Sequence, residues 1–151
     1  MSVNFYAGKM DDENCFGPVI PFSAHDQFEW VENPETGEAD KLANPAYVEH
    51  ADLHLSNSNA DHLASLLGLP EILDGTVRWD IGAVTTACIR WLTGAQGQMS
   101  PAVADVTDAA PGRATMIHCG RREGYDNEKV VHLLMLASNG RALGATHVVG
   151  G

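Results

Sequence analysis

Two short stretches carry residue types that do chemistry by spacing alone. The first is Ser56-Asn57-Ser58-Asn59, a run of hydroxyl and amide side chains. The second is Cys119-Gly120-Arg121-Arg122-Glu123-Gly124, where glycines allow close backbone approach and two guanidinium forks suit a phosphate or carboxylate. Each run precedes a segment of helical periodicity, and a helix N-terminus presents unpaired N–H groups and the positive end of its dipole. Ser56, Asn57, Asn59, Cys119, Gly120, Arg121, Arg122 and Gly124 are therefore the candidate ligand-binding set, and the ligand is a small anion. The competing reading is structural: the glycines make a turn, the arginines pair with surface acids and Asp126 caps the helix.

A second constellation is His50-Ala51-Asp52-Leu53-His54. On a continuous strand, period-two geometry sets His50, Asp52 and His54 on one face, with Asp61 and His62 of the next helix as a source of a fourth metal ligand. An ordinary solvated strand face with the leucines turned inward explains the same pattern. Neither a nucleophile elbow, a Walker loop, a dinucleotide fingerprint nor a His-Glu-x-x-His helix occurs in the chain. No complete catalytic set is expected, and no cofactor.

The elements that must position these residues follow from periodicity. Asp52–Ser56 alternates polar and apolar and reads as a short strand, followed by a helix capped by Asn57 or Ser58. Ala60, Leu63, Leu66 and Leu67 form its apolar stripe, and Gly68 stops it before Pro70. Thr76–Trp79 reads as a second strand, with Asp80 capping a helix over roughly residues 81–92. Its inner face is Ile81, Val84, Cys88 and either Ile89 or Trp91. Ala114–Cys119 reads as a third strand, Tyr125–Leu143 as a helix burying Val130, Leu133, Leu134 and Ala137, and Thr146–Val149 as a last strand.

Repeated strand-helix units predict an α/β fold: a small mostly parallel sheet with flanking helices, residues 52–149 as its core. Residues 1–50, rich in Gly, Pro, Asn and acids, read as an extended segment that wraps this core or adds an edge strand. Within it, Asn33-Pro34-Glu35-Thr36-Gly37 is a turn signal that makes Gln27–Val31 one arm of a hairpin. The whole of 1–151 reads as one domain.

Composition narrows the partners. Nine Lys+Arg against 20 Asp+Glu give a formal charge of −11, which repels a phosphate backbone and argues against general nucleic-acid binding. A small anion held by a local basic patch, a protein partner and a homo-oligomer all remain compatible with that balance. Three widely spaced cysteines without a Cys-x-x-Cys pair read as reduced thiols, and the absence of a basic start before an apolar run argues against export. A cytoplasmic protein without membrane partners is the expectation.

Two resemblances bear on this reading. His118-Cys119-Gly120, at a strand end before a helix, resembles the opening of the phosphate-binding loop of cysteine-dependent phosphatases. That family needs an arginine at the position occupied here by Tyr125, and Glu123 adds negative charge where a phosphate would sit. Leu55-Ser56-Asn57-Ser58-Asn59-Ala60, then Leu66-Leu67-Gly68-Leu69, then Cys119-Gly120-Arg121-Arg122-Glu123-Gly124-Tyr125 together resemble a group of small uncharacterised bacterial and phage proteins. That resemblance spans roughly residues 45–149 and implies that the two loops belong together. The expected function is non-catalytic binding of a small anionic ligand or a protein partner through loops at the carboxyl ends of the strands. The alternative is a hydrolase, thiol-based at Cys119 or metal-assisted at His50, Asp52 and His54.

Overall fold

Val3, Phe5 and Ala7 alternate with Asn4 and Tyr6, and that period of two makes Ser2–Met10 the first strand, β1. The structure, a computed structural model, describes residues 2–10, 15–72, 76–94, 100–108, 116–118 and 120–151. Strand β1 runs through the sheet interior. One edge pairs with β9 (His147–Gly150); the other pairs first with β5 (Asp52–Ser56) and then with β2 (Phe16–Pro18). Strand β6 (Val77–Asp80) lies on the far side of β9.

Every strand pairing among the described residues is antiparallel, which corrects the expected mostly parallel sheet. A parallel crossover requires the strand before the last helix to share a sheet with β9. Instead β8 (Met116–His118) pairs with β7 (Val106–Asp108) in a separate two-stranded ribbon. The β5-helix-β6 unit fails to be parallel for a related reason: β1 and β9 separate its strands, and three successive antiparallel steps leave β5 and β6 running in opposite directions. Residues 2–10, expected to wrap the core, therefore form its central strand.

The helices fall close to their expected places. Helix α1 (Asn57–Leu67) is capped by Ser56 and stopped by Gly68 in the left-handed conformation at φ 65°. Helix α2 (Ile81–Thr93) is capped by the Asp80 carboxylate, which accepts from the Ala83 N–H at 2.8 Å. Helix α3 spans Tyr125–Ala142 and buries Val130, Leu133, Leu136, Ala137 and Gly140, one stripe along its length.

All three helices pack on one sheet face. Register places Val3, Phe5, Ala7, Leu53, Leu55, Val77, Trp79 and Val148 on that face, and all are buried in one cluster with the helix stripes. Phe5 stacks on Trp79 with ring centroids 5.4 Å apart, and the Trp79 indole N–H donates to the Pro70 carbonyl at 3.0 Å. Each large apolar side chain so buried contributes about 1.5–3 kcal/mol. No α-helix among the described residues packs on the opposite face. It carries Asn4, Tyr6, Asp52, His54, Arg78, His147 and Val149, and the chain around residues 15–25 lies against part of it.

Hairpin strands β3 (Phe28–Glu32) and β4 (Ala39–Ala43) pair apart from this body, on either side of the expected turn. No described helix is long and apolar enough to cross a membrane.

Candidate functional site

The two loops picked out by sequence begin α1 and α3, and the helices bring their neighbourhoods together through His62 and Asp126. His62 Nε2 lies 3.1 Å from Asp126 Oδ1, and Arg121 Nε lies 3.7 Å from the same oxygen. The backbone of Arg121 pairs with that of Val103 in both directions, at 2.6 and 2.8 Å. Gly120 donates its N–H to the Asp105 carboxylate, and a Cβ at Gly120 would collide with the Val103 carbonyl, so glycine is required there by packing. Gly124 adopts φ 76° at the start of α3, a left-handed position that favours glycine.

Most of these groups are engaged within the protein, while Arg121 Nε is enclosed and has no hydrogen-bond partner. Ser56 Oγ accepts from the Asn59 N–H at 3.4 Å. The Asp126 N–H donates to Ser100 Oγ at 3.1 Å, the Gly124 N–H donates to the Ser100 carbonyl at 2.9 Å, and Ser100 itself is buried. Arg122 pairs with Glu128, which also accepts from Lys129; both cations hold the Glu128 carboxyl below its ordinary range. The first turn of α3 thus meets its own acids, Asp126 and Glu128, where an anion would have to sit. Asn57 keeps an enclosed side-chain oxygen without a hydrogen-bond partner. Cys119 lies outside the described residues, as does the thiol chemistry expected of it.

The expected metal face does not assemble as drawn. His50 precedes β5 in a left-handed turn at φ 58°, which breaks the period-two relation to Asp52 and His54. Its ring packs edge-on against His132 of α3, with centroids 4.4 Å apart. Asp52 faces His25 instead, at 3.9 Å, and His54 is exposed opposite Asn4. Among the described residues no three His, Cys, Asp or Glu side chains are grouped to hold a metal ion.

A different concavity opens on the sheet face opposite α1, α2 and α3. It is a groove of about 510 Å³ whose lining includes Asn4, Tyr6, Phe16, Phe22, Arg78 and Val149. Tyr6, Arg78 and Val149 come from adjacent strands at one register level, since Tyr6 pairs with Val149 and Val149 with Arg78. Phe16 stands edge-on to His147 at 4.8 Å and under the Arg78 guanidinium at 5.3 Å. Phe22 stands edge-on to Tyr6 at 5.4 Å.

One groove side chain, that of Arg78, carries a charge that a ligand could meet. Arg78 has no carboxylate within ion-pair distance among the described residues; Asp80, two positions along the same face, is committed to capping α2. Asn4 Oδ1 is enclosed and has no hydrogen-bond partner. The signal for this site was present in the sequence as polar residues between buried ones, Asn4 and Tyr6 in β1 and Arg78 between Val77 and Trp79. Which strands would lie side by side was not. No protein-family model, curated protein or solved structure matches this chain.

Proposed function

We propose that this is a binding protein for a small anionic ligand with a flat apolar body, seated in the groove over β1, β9 and β6. The observation that carries the reading is the position of Arg78: a cation with no carboxylate partner among the described residues, at the wall of an aromatic-lined concavity on an acidic protein. A carboxylate or phosphate suits the guanidinium as a two-pronged partner, and Phe16 and Phe22 offer ring faces and edges to the ligand body. Aromatic and heteroaromatic acids are the ligand class that matches the guanidinium and the aromatic lining together. The α3 loop suits such a ligand less well, because Asp126 and Glu128 stand beside its arginines.

The test is an amide NMR titration with benzoate, indole-3-carboxylate and a nucleoside monophosphate. Shifts are expected at Tyr6, Arg78 and Val149, lost in Arg78→Gln and retained in Arg121→Ala. Loss in Arg121→Ala with retention in Arg78→Gln would move the site to the α3 loop. No shift with any of the three acids would sink the small-anion reading.

A further inference from the structure

The β3–β4 hairpin is held at both ends and packed along neither side. At its base, the Asn44 side-chain amide donates to the carbonyls of Ser23 and Asp26, at 2.6 and 2.9 Å, and the Asn44 N–H donates to Gln27 at 3.0 Å. At its tip, the Asn33 N–H donates to Glu38 and the Gly37 N–H to Asn33, each at 2.8 Å, with Gly37 at φ 70°. Between these clamps all ten strand residues are exposed. A two-stranded ribbon has little stability of its own in water, so a ribbon clamped at its ends with bare faces is shaped for something else.

Its exposed residues are of the wrong kind for a solvated arm. The register puts Phe28 and Trp30 on one face with Lys41, whose ammonium sits 4.2 Å from the centre of the Phe28 ring. Trp30 is 69% exposed, Phe28 41%. Val31 and Leu42 are exposed on the other face. Tryptophan is the residue type most enriched among the anchors of protein interfaces, and isolated apolar residues on a surface rarely gather so closely. Around these residues stand Glu29, Glu32, Glu35, Glu38 and Asp40, five carboxylates against the single Lys41.

We propose that the hairpin is a docking arm for a basic protein, with the Phe28–Trp30 face entering an apolar recess rimmed by Lys and Arg. Charge selects the occupant. A second copy would set the same acidic ribbon, on a chain of charge −11, against itself. A nucleic acid would meet the same repulsion from its phosphates. A basic protein gains from the carboxylate rim in approach and orientation and from the aromatics in residence.

The experiment uses the full chain and two synthetic amphipathic peptides with one leucine face, one rimmed by Lys and Arg, the other by Glu. Acrylamide quenching reads Trp30 directly, because Trp79 and Trp91 are buried. The basic peptide is expected to bind, to protect the exposed tryptophan from quenching, and to release as salt rises. Trp30→Ser should weaken binding by about tenfold or more, as loss of an interface anchor does, and Glu32→Gln, on the same face as Trp30, should weaken it less but flatten the salt dependence. Both variants change exposed residues, and an unshifted melting temperature checks the fold. Equal binding of the two peptides, equal binding by Trp30→Ser, or self-association of the chain alone that Trp30→Ser abolishes would each overturn the proposal, the last by naming a second copy as occupant.

Discussion

Gly140 of α3 and Ala7 of β1 meet so closely that a Cβ on Gly140 would overlap the methyl of Ala7. Helix and central strand touch there, backbone against methyl, with both residues buried. This contact sets how deeply α3 can lie on the sheet. Gly140→Ala gains about 0.8–1 kcal/mol of helix propensity. Overpacking of a core contact costs about 1–3 kcal/mol, so the overlap wins. Urea denaturation should show Gly140→Ala less stable than the parent, Gly140→Val less stable still, and Gly140→Ala combined with Ala7→Gly recovering part of the loss. A stabilised Gly140→Ala would mean that α3 sits further from β1.

The helices were legible because their signals are local. Asp80 before an apolar stripe and Gly68 before Pro70 need only neighbouring residues to act, and they mark α1 and α2 within a residue or two. Sheet order is a different kind of information. Val3, Phe5 and Ala7 announce a strand, but nothing near them says that residues 147–150 will pair on one edge and residues 52–56 on the other. The parallel expectation came from chain order, and it failed where β8 chose β7 as partner. The groove is not legible in the sequence for the same reason, since Tyr6, Val149 and Arg78 become neighbours only through those pairings.

The His62–Asp126 pair ties α1 to α3 across 64 positions of sequence. Both side chains are mostly shielded, with 29% and 15% exposure, so the bond is expected to contribute about 0.5–1.5 kcal/mol. A double-mutant cycle of His62→Ala and Asp126→Ala, read by chemical denaturation, should return a coupling of that size. Arg121→Ala should lower stability modestly through the same carboxylate while leaving ligand shifts in the sheet-face groove intact. Zero coupling would mean that the two helices are held by their apolar contacts alone.

His132 gives the fold a defined response to acid. Burial is the main cause that lowers its pKa from 6.5; the neighbouring His50 and Lys129 push the same way, while a hydrogen bond with the Asp52 backbone and the Asp52 charge oppose them. The unfolded chain therefore takes up this proton before the folded chain does. Above about pH 6.5 the group adds no pH dependence, and as pH falls from there toward its lowered value, stability falls. Urea midpoints measured from pH 8 to pH 5 should drop across that window, and His132→Gln should flatten the drop. An unchanged profile in His132→Gln would assign the acid sensitivity to other groups.

Cys88 provides a reporter of α2 docking. Its side chain is buried in the main core cluster, and that burial pushes the thiol up to about 12, from an ordinary 9.0. Because the thiolate is the nucleophile, a thiol raised this far and shielded from reagent is inert at neutral pH. In a Cys15→Ser, Cys119→Ser variant, iodoacetamide at pH 8 should leave the native protein unlabelled and should label it once urea unfolds it. Cys15, exposed, should react in the native parent, so the two thiols separate surface access from opening of the core. Labelling of Cys88 under native conditions, at a rate independent of global stability, would show instead that α2 lifts from the sheet on its own.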